Sequence, residues 1–333
     1  MGKFGMGLKR YQQVRVHDFK PDLNDFRSEV LSGLQKPQKE LPCKYLYDEH
    51  GSYLYECICA LDEYYIPRTE RAIMETHIDE MVELIGPNAL LIEYGSGSSV
   101  KTRILLDHLP DLAGYVPIDI CPEQLLSATN ELTSFYPELE VLPVCADYTS
   151  RFELPVPRQP SRRNIVYFPG STIGNFELIQ ARNFLKHIAW VCGPGGGLII
   201  GVDLKKDPYT LHCAYNDRNG VTAAFNLNLL ERINRELNSN FQLEWFKHYA
   251  FYNPDEGRVE MHIVSLREQT VRIDNTTIPF AEGETIWTES SYKFNLNQFE
   301  QMANASGFKV ERIWTDEKQW FSVQYLVKSA VYI

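Results

Sequence analysis

The run Leu90-Leu91-Ile92-Glu93-Tyr94-Gly95-Ser96-Gly97-Ser98-Ser99 decides the fold. Four residues that begin apolar and end acidic give way to a glycine-rich loop, and Val100 to Leu109 then reads as a helix. Strand, loop and helix in that order open a nucleotide-binding α/β unit. Gly95 and Gly97 allow a tight turn and the close approach of a ligand to the backbone. The helix start adds unpaired N–H groups that favour an anion.

Working outward, Tyr115 to Asp119 reads as a second strand ending in a carboxylate. Asp119 stands at the distance where such folds set an acid against ribose hydroxyls, and an ionised carboxylate only accepts, as a diol requires. Leu139 to Val144 reads as a third strand, followed by Asp147 and Tyr148, an acid and a ring suited to the amine and the face of adenine. Asn164 to Phe168 and Gly197 to Leu204 read as the fourth and fifth strands. Loops at successive strand ends of an open parallel sheet share one edge, and ligands bind there.

The chain end separates two ligand classes. A dinucleotide loop G-x-G-x-x-G needs a third glycine for helix packing, and here Val100 stands in its place. Leu296 to Ala305 reads as a helix, and Lys309 to Thr315 with Phe321 to Lys328 as two strands. A terminal antiparallel hairpin closing a parallel sheet resembles the class I S-adenosylmethionine-dependent methyltransferases. An NAD-linked oxidoreductase is the rival from another class, disfavoured by the loop and by the hairpin.

The 333 residues carry a net charge of −11, with no basic run of five, which argues against a nucleic-acid substrate. No apolar stretch reaches the length of a membrane span, and the N-terminus lacks a signal core. Seven cysteines without a Cys-x-x-Cys pair fit reduced thiols and a cytoplasmic location, and the eight histidines show no metal-ligand spacing, so no metal is expected. The absence of an apparent coiled coil or exposed apolar run favours a monomer. Two regions fall outside the sheet: residues 1–68, and 206–292, which holds a strong hairpin, Leu243 to Tyr252 and Arg258 to Leu266. The expectation is a cofactor-binding domain of residues 69–205 and 293–333. Residues 1–68 and 206–292 would form a smaller α+β substrate-binding lid.

The stretches Lys44 to Ser52, Glu63 to Glu70, Glu93 to Gly97, Lys101 to Arg103, Gly170 to Asn175, Gly220 to Asn226 and Thr288 to Phe294 resemble the histidine Nα-methyltransferases of ergothioneine biosynthesis. The likeness runs from about residue 40 to the end. It implies an enzyme that uses S-adenosylmethionine to methylate the α-amine of L-histidine three times, giving hercynine. A relative acting on another amino acid, such as tryptophan, is the nearer rival. By the resemblance, Tyr64, Glu289 and Ser291 would hold the imidazole, and Asn175 and Tyr215 the substrate carboxylate. Tyr47 would stand at the amine as candidate base, with Gly170, Thr172 and Met261 lining that side. Gly95 and Lys101 would take the methionine part of the cofactor, Asp119 the ribose, and Asp147 with Tyr148 the adenine. These types suit the roles: Glu289 can accept an imidazole N–H, and a phenyl or indole ring would leave such polar groups unpaired.

Overall fold

A computed structural model describes residues 16–19, 23–97, 99–150 and 152–329. Eight strands form its main sheet, in the spatial order His17–Phe19, Val144–Ala146, Gly114–Asp119, Ala89–Tyr94, Arg163–Phe168, Gly197–Asp203, Phe321–Lys328 and Phe308–Thr315. The first six run parallel, and Phe321–Lys328 is antiparallel to both its neighbours. The terminal hairpin therefore closes the sheet as expected.

Period-two alternation fills both faces. Leu91, Tyr115, Tyr167 and Ile199 enter one buried cluster, while Ile92, Val116, Val166 and Ile200 enter the other. Helix Leu178–Cys192 covers the second face. A capping box of Glu177 and Gln180 starts it, and Gly193, at φ 65°, ends it. Between them Ala181, Phe184, Leu185, Ile188 and Cys192 recur at helical spacing and are buried, each large side chain contributing about 1.5–3 kcal/mol. Helix Ile66–Ile85 lies on the opposite face, against Phe321–Lys328.

Three expectations need correction. The third strand is Val144–Ala146, with only an isolated bridge at Val141, because Pro143 has no N–H to give to a ladder. Residues 17–19, assigned from sequence to the lid, instead pair with Val144–Ala146 as the sheet's edge strand. The helix after the glycine loop also stops at Leu106, short of Leu109.

Residues 206–292 leave the sheet after Gly197–Asp203 and, with Lys39–Glu40, build a second one. Its order is Lys39–Glu40, Thr285–Tyr292, Arg258–Ser265 and Phe246–Asn253. Helices Glu49–Cys59 and Val221–Leu237 pack together beside it. The excursion closes on itself: the Phe294 amide donates to Asp203 O at 3.0 Å, and the Lys205 amide to Phe294 O at 2.9 Å. The turn Thr172–Asn175 packs on Thr285–Tyr292 so closely that a Cβ on Gly174 would lie 2.8 Å from Tyr292 O. Only glycine fits there. Among the described residues no helix is long and apolar enough to cross a membrane.

Candidate active site

The parallel strands end on one edge, over a cleft of about 2210 Å³. Gly95 and Gly97, at φ 74° and 50°, turn the chain out of Ala89–Tyr94. Asp119 straps this loop. Its carboxylate accepts from the Gly97 amide at 2.8 Å and the Cys121 amide at 3.1 Å, and burial raises its pKa. Asp147 accepts from the Thr149 amide at 2.9 Å and from Lys44 at 2.9 Å. Burial pushes Asp147 up, but the hydrogen bonds from Thr149 and Lys44 outweigh it and hold the pKa below the usual range. The Tyr148 ring stands edge-on to Tyr94 and Phe168, with centroids 6.0 and 6.1 Å away. Lys101 pairs at 2.5 Å with the fully buried Glu70, which also takes the Gly170 amide at 2.9 Å. All five residues assigned to the cofactor, Gly95, Lys101, Asp119, Asp147 and Tyr148, line this cleft.

A second cavity of about 40 Å³ adjoins it. The nine residues assigned to the substrate line this space together: Tyr47, Tyr64, Gly170, Thr172, Asn175, Tyr215, Met261, Glu289 and Ser291. Of these, Tyr47, Gly170, Thr172, Asn175 and Glu289 also face the larger cleft, so the two spaces share a wall.

Local structure explains the convergence. Gly170 and Ser171 both take positive φ, 76° and 57°, which swings Thr172 and Asn175 beneath the strand ends. The pairing of Thr285–Tyr292 with Arg258–Ser265 shifts register between Trp287 and Glu289. That bulge sets the phase of the strand's remaining residues, so Glu289 and Ser291, two residues apart, reach the same cavity. Glu289 sits opposite Met261 in the ladder. Tyr64 meets Tyr215 edge-on, their centroids 6.0 Å apart.

The electrostatics are uneven. The Glu289 side chain has no hydrogen-bond or ion-pair partner among the described residues, and burial raises its pKa to about 7 despite Lys293 nearby. Burial, then the field of Glu289, holds the Tyr47 phenol well above its ordinary value. Tyr47 therefore stays protonated at neutral pH. It can accept a hydrogen bond from an amine, and its burial makes the phenolate form costly. Tyr215 donates to Ser291 Oγ at 2.7 Å, so residues assigned to opposite ends of the substrate touch one another.

Sequence reasoning passed over four residues here. Glu70 bridges Lys101 and Gly170, and Lys44 ties the segment before the sheet to Asp147. Lys293 and Asp203 pair at 2.8 Å with fully buried side chains beneath Tyr215 and Ser291. Their sequence signal is a charge set among apolar neighbours, as in Tyr292-Lys293-Phe294.

Known proteins match this chain along most of its length. A family profile described as "Histidine-specific methyltransferase, SAM-dependent" matches residues 26–328. A protein of Mycolicibacterium smegmatis named histidine N-alpha-methyltransferase is 39% identical over 91% of this chain and 94% of its own length. A Mycobacterium tuberculosis protein of the same name is 38% identical with the same coverage. Ergothioneine biosynthesis protein 1 of Neurospora crassa is 30% identical over 87% of this chain, which spans 33% of that longer protein. With a family profile spanning nearly the whole described chain and two relatives well above 30% identity along almost their full length, the chain belongs to the histidine-specific, S-adenosylmethionine-dependent methyltransferases.

Proposed function

We propose that this protein transfers methyl groups from S-adenosylmethionine to the α-amine of L-histidine, three times in succession, giving hercynine in ergothioneine biosynthesis. One observation carries the reading. Nine residues from separate segments of the chain line one small cavity, and five of them form the wall it shares with the cleft that holds all five cofactor residues. A methyl donor in the cleft and an amine in the cavity would meet at that wall.

The residues of the cleft fit the cofactor. Asp119 is an acceptor for a ribose diol, and Asp147 with Tyr148 offers a carboxylate and a ring to adenine. Lys101 spends one N–H on Glu70 and keeps others for a carboxylate. Among the described residues the buried Ser96 hydroxyl of this loop has no hydrogen-bond partner. When bound, the cofactor supplies an electrophilic sulfonium methyl.

The protein's part is placement, which gives large rate gains when reacting atoms are held at attack distance. Asn175 offers a neutral donor to the substrate carboxylate, Glu289 accepts a ring N–H, and Tyr215, whose one proton goes to Ser291, sets the donor side of the cavity. Tyr47 accepts a hydrogen bond from the amine and turns its lone pair toward the shared wall. The amine must give up its proton before attack, since only a lone pair can take the methyl group.

Mass spectrometry of purified protein with S-adenosylmethionine and an equal mixture of the twenty amino acids tests this. The expected result is histidine gaining three methyl groups, with the others unchanged. Methylation of tryptophan or another amino acid in its place would overturn the assignment of the small cavity.

A further inference from the structure

Lys293 lies one strand position beyond the candidate substrate residues, with its side chain fully buried. An ammonium has three protons, and here each has an oxygen. Asp203 Oδ2 lies at 2.8 Å, the Tyr215 hydroxyl at 3.0 Å and Ser291 Oγ at 2.8 Å. Asp203 is held in turn by Lys206 at 2.5 Å and by the Tyr65 hydroxyl at 2.8 Å. Burial alone would discharge Lys293, yet Asp203 and Tyr215 keep it charged.

This arrangement fixes the direction of the hydrogen bonds at Ser291. A serine hydroxyl has one proton and two acceptor lone pairs. Lys293 can only donate to it. Tyr215 lies 2.7 Å away, and a phenol is a stronger acid than an alkyl alcohol, so the proton between them belongs to Tyr215. Both lone pairs of Ser291 are then taken, and its own proton must point elsewhere. The side that remains faces the small cavity. Glu289, two residues earlier on the same face, has no side-chain partner among the described residues and is an acceptor when ionised.

We propose that Lys293 is a positioning residue: by locking Ser291 as a donor it makes the cavity select a neutral azole ring, with one ring N–H toward Glu289 and one bare ring nitrogen toward Ser291. The inference rests on the histidine reading above and adds the ionisation state of the substrate. An imidazolium ring has an N–H at both nitrogens, and one of them would face the Ser291 proton with no acceptor between. Burial raises Glu289 itself to about 7, so it is the ring N–H acceptor in its ionised form; the other titratable groups leave this count intact near neutrality. Tyr47, Tyr64, Tyr148 and Tyr215 around Glu289 are all pushed up by burial, and so is the Cys43 thiol, to about 12. Tyr65 beside Asp203 and Tyr252 near Lys293 are raised too, and Lys206 is lowered by burial to about 8.

Calorimetry with S-adenosylhomocysteine present tests the proposal. Two ligands are compared between pH 5.5 and 7.5: histidine, and 1,2,4-triazol-3-ylalanine, whose ring stays uncharged throughout. Protonation of Glu289 weakens both alike and cancels in the ratio of their Kd values. With a free imidazole pKa of about 6.5, the histidine-to-triazole ratio should rise about tenfold from pH 7.5 to pH 5.5. In Lys293→Met, Ser291 regains a lone pair, and the ratio should stay within about twofold. Should that variant not fold, Ser291→Ala removes the donor to the bare ring nitrogen and should weaken triazole binding at pH 7.5 about tenfold. A constant ratio in the wild type, unchanged triazole affinity in Ser291→Ala, or no binding of the triazole at pH 7.5 overturns the proposal. Failure of histidine itself to bind at pH 7.5 overturns the histidine reading, a result distinct from binding with a constant ratio.

Discussion

Glu70 holds the Lys101 ammonium at 2.5 Å and also accepts from the Gly170 amide, so one fully buried acid joins the helix after the glycine loop to the turn that carries Asn175. Removing one partner of a buried pair costs more than the pair contributes, because the other charge is left uncompensated. Glu70→Ala also strands the Gly170 N–H. The expected loss is about 3 kcal/mol, somewhat eased because Lys101 retains partial access to solvent. Urea denaturation with an unchanged slope measures it, and a loss below about 1 kcal/mol would show that the bridge contributes little.

Asp119 has two tasks, strapping the loop through the Gly97 amide and offering a charge to the proposed ribose site. Asp119→Asn keeps an acceptor for Gly97 and removes only the charge. Cofactor affinity should weaken about tenfold to a hundredfold, the worth of one or two charge-assisted hydrogen bonds. Calorimetric titration with S-adenosylmethionine reads this directly, and unchanged affinity would remove Asp119 from the site.

The raised pKa of Glu289, about 7 against an ordinary 4.5, has a definite sign for stability. Between those values the folded state holds a proton that the unfolded chain has lost. Stability therefore falls as pH rises through that window, and the penalty is complete above pH 7. Glu289→Gln should be nearly neutral at pH 4.5 and stabilising by roughly 2 kcal/mol at pH 8, while histidine methylation collapses. A stability difference that does not vary with pH would mean Glu289 ionises as freely as in water.

Tyr47 separates two mechanisms by magnitude. As a neutral phenol that orients the amine, its loss in Tyr47→Phe should lower kcat about tenfold, the worth of one hydrogen bond. A group that took the proton would cost about a hundredfold to ten-thousandfold. Single-turnover measurements starting from histidine and from its dimethyl derivative distinguish the two.

Much of the sheet was legible because its evidence is local. Apolar runs ending at glycine or acid marked the first, second, fourth and fifth strands, and the Phe321–Lys328 strand was placed to the residue. What was hidden depends on partners distant in sequence. His17–Phe19 is three residues without an apolar pattern, and it is a strand only because Val144–Ala146 offers an open edge. Lys293 reads as a surface residue until Asp203, ninety positions earlier, is brought 2.8 Å away. The set of residues around the small cavity came through family resemblance. Their spacing alone did not reveal that Glu289 and Ser291 face inward, because the bulge before Glu289 leaves no mark in composition.

The closed neck at Asp203, Lys205 and Phe294 has an evolutionary consequence. The chain departs and returns at a single point, so the intervening segment, together with Lys39–Glu40 and helix Glu49–Cys59 that pack into it, forms a cassette. It can be rewritten residue by residue, or exchanged for that of a relative, while the strands on either side keep their partners. Acceptor choice can then drift without loss of the machinery that handles the donor. Chimeras joined at 205 and 293 are the natural place to look for that modularity.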